Sequence, residues 1–290
     1  VNALGKIGGK RVVAPLIKEL DNPWHALSVE RWLTRVGEPA VPPLIDAVNK
    51  DAEHAVSARC AMARIMADIG DARAVEPLIA VANEGDVQLT WHAGRALASF
   101  GDPRAESLFI ALKDHPDWRL RKVAVVGLGG LGKPTLADDV QPLLDDQDRT
   151  VRGQAALAMG RLYRGADAAP PESLIKQVEK MLNDNSRFVR DSALQTLTDF
   201  TAPRSVPAVV ALLDDRAPFI RRQAAATLAS IASPKAVQPL VSKLEADDDV
   251  VRDHAIEGLR RIGAPAVSAV IKRLRKDENR DNERLLDGAR

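Results

Sequence analysis

The sequence predicts an all-α protein, an α-solenoid of two-helix repeats of about 31 residues each. Three observations carry that expectation. An apolar-arginine pair returns at near-constant spacing, a proline-bearing phrase returns between the pairs, and glycines and capping residues punctuate the joints. The composition fits: the 290 residues are 46% hydrophobic but only 3% aromatic. Ala, Leu and Val dominate, which suits packed helices better than alternating strands. A net charge of +1 gives no overall field for nucleic acid or membrane. No apolar run approaches the roughly 18–20 residues of a membrane-spanning helix. A single cysteine, Cys60, excludes an intramolecular disulfide framework and any multi-cysteine metal site.

The pairs are Leu120-Arg121, Val151-Arg152, Val189-Arg190, Ile220-Arg221 and Val251-Arg252. Their arginines recur at steps of about 31 residues, with one longer step between Arg152 and Arg190. After each arginine the same frame follows, with Ala or another apolar residue at +3 and large apolar residues at +7 and +10. Arg152 is followed by Ala155, Met159 and Leu162, and Arg221 by Ala224, Leu228 and Ile231. Stepping back reaches Thr90, Arg59 and Ala26, where the frame holds although the arginine is kept only at Arg59. This period of three to four marks the core stripe of a first helix. The arginines recur beside a core residue with an acid in the preceding turn (Asp117, Asp148, Asp248), so they are expected to form a scaffold ladder between repeats and not a nucleic-acid contact.

The second helix of each repeat opens on variants of one phrase. These include Val12-Val13-Ala14-Pro15-Leu16-Ile17, Val41-Pro42-Pro43-Leu44-Ile45, Val75-Glu76-Pro77-Leu78-Ile79 and Val237-Gln238-Pro239-Leu240-Val241. Proline fits there only in the first helical turn, where its missing N–H loses no partner. Asn22, Asp86, Asp117, Asp148, Ser186 and Asp248 are placed to cap the first helices, with Pro23 and Pro218 at their first positions. Gly37, Gly70, Gly101, Gly132 and Gly263 stand where the first helices stop, and Asp71 and Asp102 can cap the second. The expected units lie near 1–21 (partial), 22–53, 54–85, 86–116, 117–147, 148–184, 185–215, 216–247 and 248–276, with a charged tail or cap at 277–290. Each shares its core with its neighbours, so no domain boundary is expected within 1–276. Val1–Gly8 reads as the end of a severed first helix, and Arg164–Pro171 as a lengthened loop.

The phrase Val-Arg-x-x-Ala-x-x-x-Leu-Gly-x-Ile-Gly-Asp-x-x-Ala-Val-x-Pro-Leu-Ile resembles the short HEAT-like repeat named after phycobilisome-lyase subunits and used in consensus-designed artificial repeat proteins. The resemblance covers essentially 1–276 and implies the same α-solenoid. It does not imply one activity, because scaffolds, adaptors and lyase subunits share the repeat.

Helix periodicity places positions −2, +1, +2, +5 and +9 of each first helix away from the core stripe. The resulting ridge carries Trp24, Arg31, Arg35, Cys60, Arg64, Asp68, Trp91, His92 and Arg95. Arg119, Lys122, Gln154 and Arg161 follow, with Trp118 beside them. Further on come Phe188, Phe219 and Arg222 among several acids; Trp32, at +6, is expected in the core. The first five units place seven basic residues on the ridge against one acid, and the last three place two against four. Arg31, Arg64 and Arg95 share position +5, so stacking aligns like charges that an anionic partner would match. Aromatic and arginine enrichment marks interface cores, although aromatics at −2 and −3 can equally cover a helix start. Trp24, Arg31, Arg64, Trp91, His92, Arg95, Trp118, Arg119, Lys122, Phe188, Phe219 and Arg222 are therefore the candidate partner-binding residues.

Catalytic signals are absent from the sequence. Gly127-Leu-Gly-Gly-Leu-Gly-Lys133 matches part of a phosphate loop, but a helix precedes it and Pro134 occupies the Ser/Thr position. The five histidines are scattered without metal-ligand spacing, and the paired His-Glu steps of the iron-binding HEAT hydroxylases do not occur. Cys60 at +1 is expected near the surface as a bystander thiol. The expected function is a non-enzymatic scaffold for a protein or peptide, an acidic one being an option. No catalytic residue, metal or cofactor is expected. The resemblance implies two alternatives: a lyase or isomerase subunit handling a linear tetrapyrrole and its acceptor protein, and nucleic-acid backbone binding by the basic half, which the net charge disfavours. The cysteine usage suits a cytoplasmic protein; the apparent truncation leaves an upstream signal open.

Overall fold

A computed structural model describes residues 9–50, 53–166 and 169–288, with side chains described to residue 276. Val1–Gly8, read above as a severed helix, lies outside the described residues, as does part of the Arg164–Pro171 loop. The described residues hold helices and no strand. They group into two compact units, 1–158 and 159–290.

In the first unit, long first helices alternate with short second helices. α1 spans Val13–Lys18, α2 Ala26–Val36, α3 Val41–Val48, α4 Val56–Ile69 and α5 Val75–Ala82. α6 spans Val87–Phe100, α7 Glu106–Leu112, α8 Trp118–Leu131, α9 Ala137–Val140 and α10 Arg149–Tyr163, which enters the second unit. Their buried faces follow the sequence frame. Met62 and Met66 of α4, Ala93 and Leu97 of α6, and Ala124 and Leu128 of α8 are fully buried. Consecutive first helices lie side by side, α2 on α4, α4 on α6 and α6 on α8.

The joints explain why the second helices are short. Gly70, Gly101 and Gly132 end α4, α6 and α8 at φ of 76°, 60° and 63°, a region glycine enters without Cβ strain. Asp71 and Asp102 then accept the backbone N–H of Arg73 and Arg104, both at 2.9 Å, and open 3₁₀ turns that lead into α5 and α7. The first helices are capped as expected at Asp86, Asp117, Asp148 and Asp248. Ser186 holds the cap position without a side-chain cap bond, and its own N–H donates to Asp184. Asn22 and Pro23 depart from the expectation: α2 starts at Ala26, and the Asn22 side chain accepts the Trp24 N–H within a preceding turn.

The arginine ladder exists, with different partners from those expected. Arg59 Nε donates to the Val48 carbonyl at 2.7 Å and its Nη atoms grip Glu84. Arg121 Nη1 donates to the His115 and Pro116 carbonyls, both at 2.9 Å, and the same guanidinium pairs with Asp146 at 2.7 and 2.8 Å. Arg190 repeats the pattern with the Asp184 carbonyl and Asp215. Arg59 thereby satisfies the carbonyl of the last residue of α3, whereas Arg121 and Arg190 satisfy carbonyls of the loops that lead into their own helices. The carboxylate partner of each stands at the far end of its own repeat and not in the preceding turn. Thr90, where the arginine is lost, bonds the Ala82 carbonyl through Oγ1 at 2.8 Å.

The second unit continues the alternation. α11 is Glu172–Met181, α12 Arg187–Asp199, α13 Val206–Val210, α14 Pro218–Ile231, α15 Val237–Ser242, α16 Asp249–Ile262 and α17 Ala264–Gly288. Position +4 is buried at Ala63, Val125, Leu194 and Ala225, and +19 at Leu78, Val140, Val209 and Leu240. In the last repeat the same positions, Ile256 and Ile271, are 54% and 44% exposed.

Candidate functional site

The site forms on α6 and on the faces of α4, α8 and α10 that flank it. Asp86 accepts the Leu89 N–H at 2.8 Å and Thr90 is tied to Ala82, so the start of α6 is fixed in rotation. Leu89, Ala93 and Leu97 then face the core, and Trp91, His92 and Arg95 lie along the opposite flank. The Trp91 and His92 rings meet edge to face with centroids 4.6 Å apart. The Arg95 guanidinium carbon lies 4.8 Å from the Trp91 ring centroid, within cation–π range.

Trp91 borders two hollows. One, of about 580 Å³, is lined by Asp86, Val87, Gln88, His92 and Arg119. The other, of about 520 Å³, has an apolar floor of Ala98, Val123 and Val126 with Arg95, Lys122, Ser99 and Gln154 around it. On α4, Arg64 pairs with Glu30 of α2 at 2.6 Å and points Nη1 at His92 Nδ1, 3.4 Å away. Burial, then the charges of Arg64 and Arg95, push His92 down to about 4. The ring is therefore neutral at pH 7, and Nδ1 can accept from Arg64.

The remaining candidates separate. Trp24 is 92% exposed in the turn before α2. Arg31 borders a smaller hollow of about 230 Å³ with Ser28, Trp32 and Arg35, whose guanidinium lies 5.6 Å from the Trp32 ring. Trp32 is thus only half-buried, a correction to its expected core position. Trp118, the first residue of α8, is exposed. Arg119 is clamped on Asp117 at 2.6 Å, a bond that pulls that carboxyl down to about 2. In the second unit, Phe188 and Phe219 are exposed at the starts of α12 and α14, with the Arg187 guanidinium 5.8 Å from the Phe219 ring. Arg222 pairs with Asp248 at 2.9 Å.

The first unit therefore gathers Arg64, Trp91, His92, Arg95, Arg119 and Lys122 around one surface. The sequence reading missed its floor. Val126 occupies +5, in file with Arg64 and Arg95, so an apolar residue in that charged file was the available signal. Cys60 is a further correction: it is buried, and burial first of all pushes its thiol up to about 11, which leaves it a poor nucleophile at pH 7. The glycine-rich stretch is packing. A Cβ on Gly127 would lie 2.5 Å from the Phe109 ring, and one on Gly129 would lie 2.8 Å from Ala158 Cα. Among the described residues no group of His, Cys, Asp or Glu is arranged to hold a metal ion. None of the described helices is long and apolar enough to cross a membrane.

Known proteins share this architecture. The HEAT repeats family matches residues 105–197 and 212–285, together more than half of the chain, and the PBS lyase HEAT-like repeat matches 58–84. No curated protein matches the sequence. Among solved structures, YIBA of E. coli is similar with a TM-score of 0.67 at 17% identity, over 90% of this chain and 95% of that one. An engineered protein gives 0.56 at 18% identity, over 93% and 86%. Kap121p bound to Pho4p gives 0.65 at 15% identity, over 93% of this chain and 36% of Kap121p. At these identities the likeness shows the fold alone.

Proposed function

The chain belongs to the HEAT repeats family, and from that premise we propose that it is a non-enzymatic scaffold holding a protein or peptide on the first-helix ridge of its first unit. The observation that carries this reading is Trp91, a large aromatic on the flank of α6 away from the core, bordering two hollows and faced by Arg95. A packing role asks for no such placement. Tryptophan and arginine over a concave, part-apolar surface make the anchor type that dominates binding energy at protein interfaces. The solved likeness includes a solenoid, Kap121p, in complex with a protein, which supports the class of function without specifying the partner.

Full burial of a tryptophan removes about 150–250 Å² from water. Trp91 is already part-buried. With no more than about a third of its surface left open, covering it is worth up to roughly 2 kcal/mol at about 25 cal/mol/Å². A displayed short-peptide library, panned on the wild-type chain with counter-selection on Trp91→Ala, tests the reading. Binders that lose about tenfold or more in affinity on Trp91→Ala, with circular dichroism unchanged, are expected. Selection that yields only binders indifferent to Trp91 would refute it.

A further inference from the structure

The cations on this ridge differ in their availability. Arg64 is held by Glu30 and Arg119 by Asp117, so both already have their carboxylates. Arg95 and Lys122 border the hollow beside Trp91, and among the described residues neither has an ion-pair partner. Resting on the scaffold reading above, we propose that this groove selects acidic peptide segments. Arg95 and Lys122 read carboxylates there, and Ala98, Val123 and Val126 receive an apolar side chain.

Two unmatched cations lining one groove repel each other, and a carboxylate between them turns that cost into attraction. The Trp91 ring, its centroid 4.8 Å from the Arg95 guanidinium carbon, holds that group beside the groove, and a guanidinium offers the fork of N–H donors that carboxylates accept. The positive field is felt within the structure, since Arg64 and Arg95 both oppose protonation of His92. Nucleic acid is a poorer occupant. Backbone tracking needs a run of free cations along the strand, and here Arg64 and Arg119 are already paired with Glu30 and Asp117.

The test extends the library selection to Arg95→Gln/Lys122→Gln and to each single variant. Neither residue has an internal carboxylate to strand, so melting should match wild type and confirm folding. Wild-type binders should be enriched several-fold in Asp and Glu, and the double variant should lose that enrichment while keeping the apolar preference. Replacing the acids of a selected peptide by their amides should weaken wild-type binding about ten- to hundredfold. Trp91-dependent binders without acidic enrichment would overturn this inference and leave the scaffold reading standing. Absence of any Trp91-dependent binder would overturn both. A short single-stranded oligonucleotide that displaces the selected peptide at equal concentration would overturn the peptide assignment.

Discussion

Arg121→Met removes one rung of the internal ladder, and its cost can be worked from the contacts. Arg121 and Asp146 are both over nine-tenths buried, at 8% and 6% side-chain exposure. Loss of the guanidinium takes two donors from the Asp146 carboxylate, leaving it the Asp148 N–H, and strips the His115 and Pro116 carbonyls of their shared donor. A buried carboxylate deprived of its cation costs about 3–5 kcal/mol. Urea titration followed by circular dichroism, on Arg121→Met, Asp146→Leu and the double variant, gives the cycle. Either single change should cost about 3–5 kcal/mol. The double variant should cost less than the sum by about 2 kcal/mol or more, because it leaves no unpaired buried charge. A loss for Arg121→Met no larger than that of an ordinary surface substitution, about 0.5 kcal/mol, would show that the ladder does not hold the repeats as described. Simple additivity in the cycle would show the same.

Three further outcomes follow from local geometry. Gly127→Ala should destabilise by about 1–2 kcal/mol despite its better helix propensity, because Phe109 must move. Exposed Gly130→Ala, by contrast, should stabilise by up to about 1 kcal/mol; the reverse order in chemical denaturation would contradict the packing role of the glycines. Ser205 is fully buried and its hydroxyl has no partner among the described residues, in a position filled by Ala74, Ala105 and Ala236 elsewhere. Ser205→Ala should therefore raise stability by about 1 kcal/mol, and a fall would reveal a partner for the hydroxyl. His92 has a native pKa of about 4, below its unfolded value, so the unfolded chain binds the extra proton first. Stability should fall as pH drops from about 6.5 toward 4. His92→Gln should flatten that limb in urea midpoints measured across the range, and an unchanged slope would contradict the neutral, half-buried ring.

The fold was legible because a single residue type recurs for a single local reason at each joint. Glycines at positive φ and aspartates before first helices report geometry that short-range sequence dictates. Errors arose where the neighbouring repeat decides exposure. Cys60, on the supposed outer flank, is buried, and Trp32, assigned to the core, is left half-open. The helix wheel fixes direction about its own axis and carries no information on what lies alongside. Pairing was likewise hidden. Arg64, Arg95 and Arg119 look alike in sequence, yet Glu30 and Asp117 neutralise two of them and leave Arg95 available. The carboxylate that completes each rung lies a whole helix and turn further along the chain, a separation that only the packed repeats bring to contact.

Hydroxyl-radical footprinting of the whole chain with and without a selected acidic peptide bears most directly on the binding surface. Oxidation of Trp91 should fall several-fold on peptide addition, while exposed Trp24 and the ring of Trp32 stay as reactive as before. Equal protection of all the tryptophans, or an unprotected Trp91 under saturating peptide, would contradict the placement of the binding surface on α6.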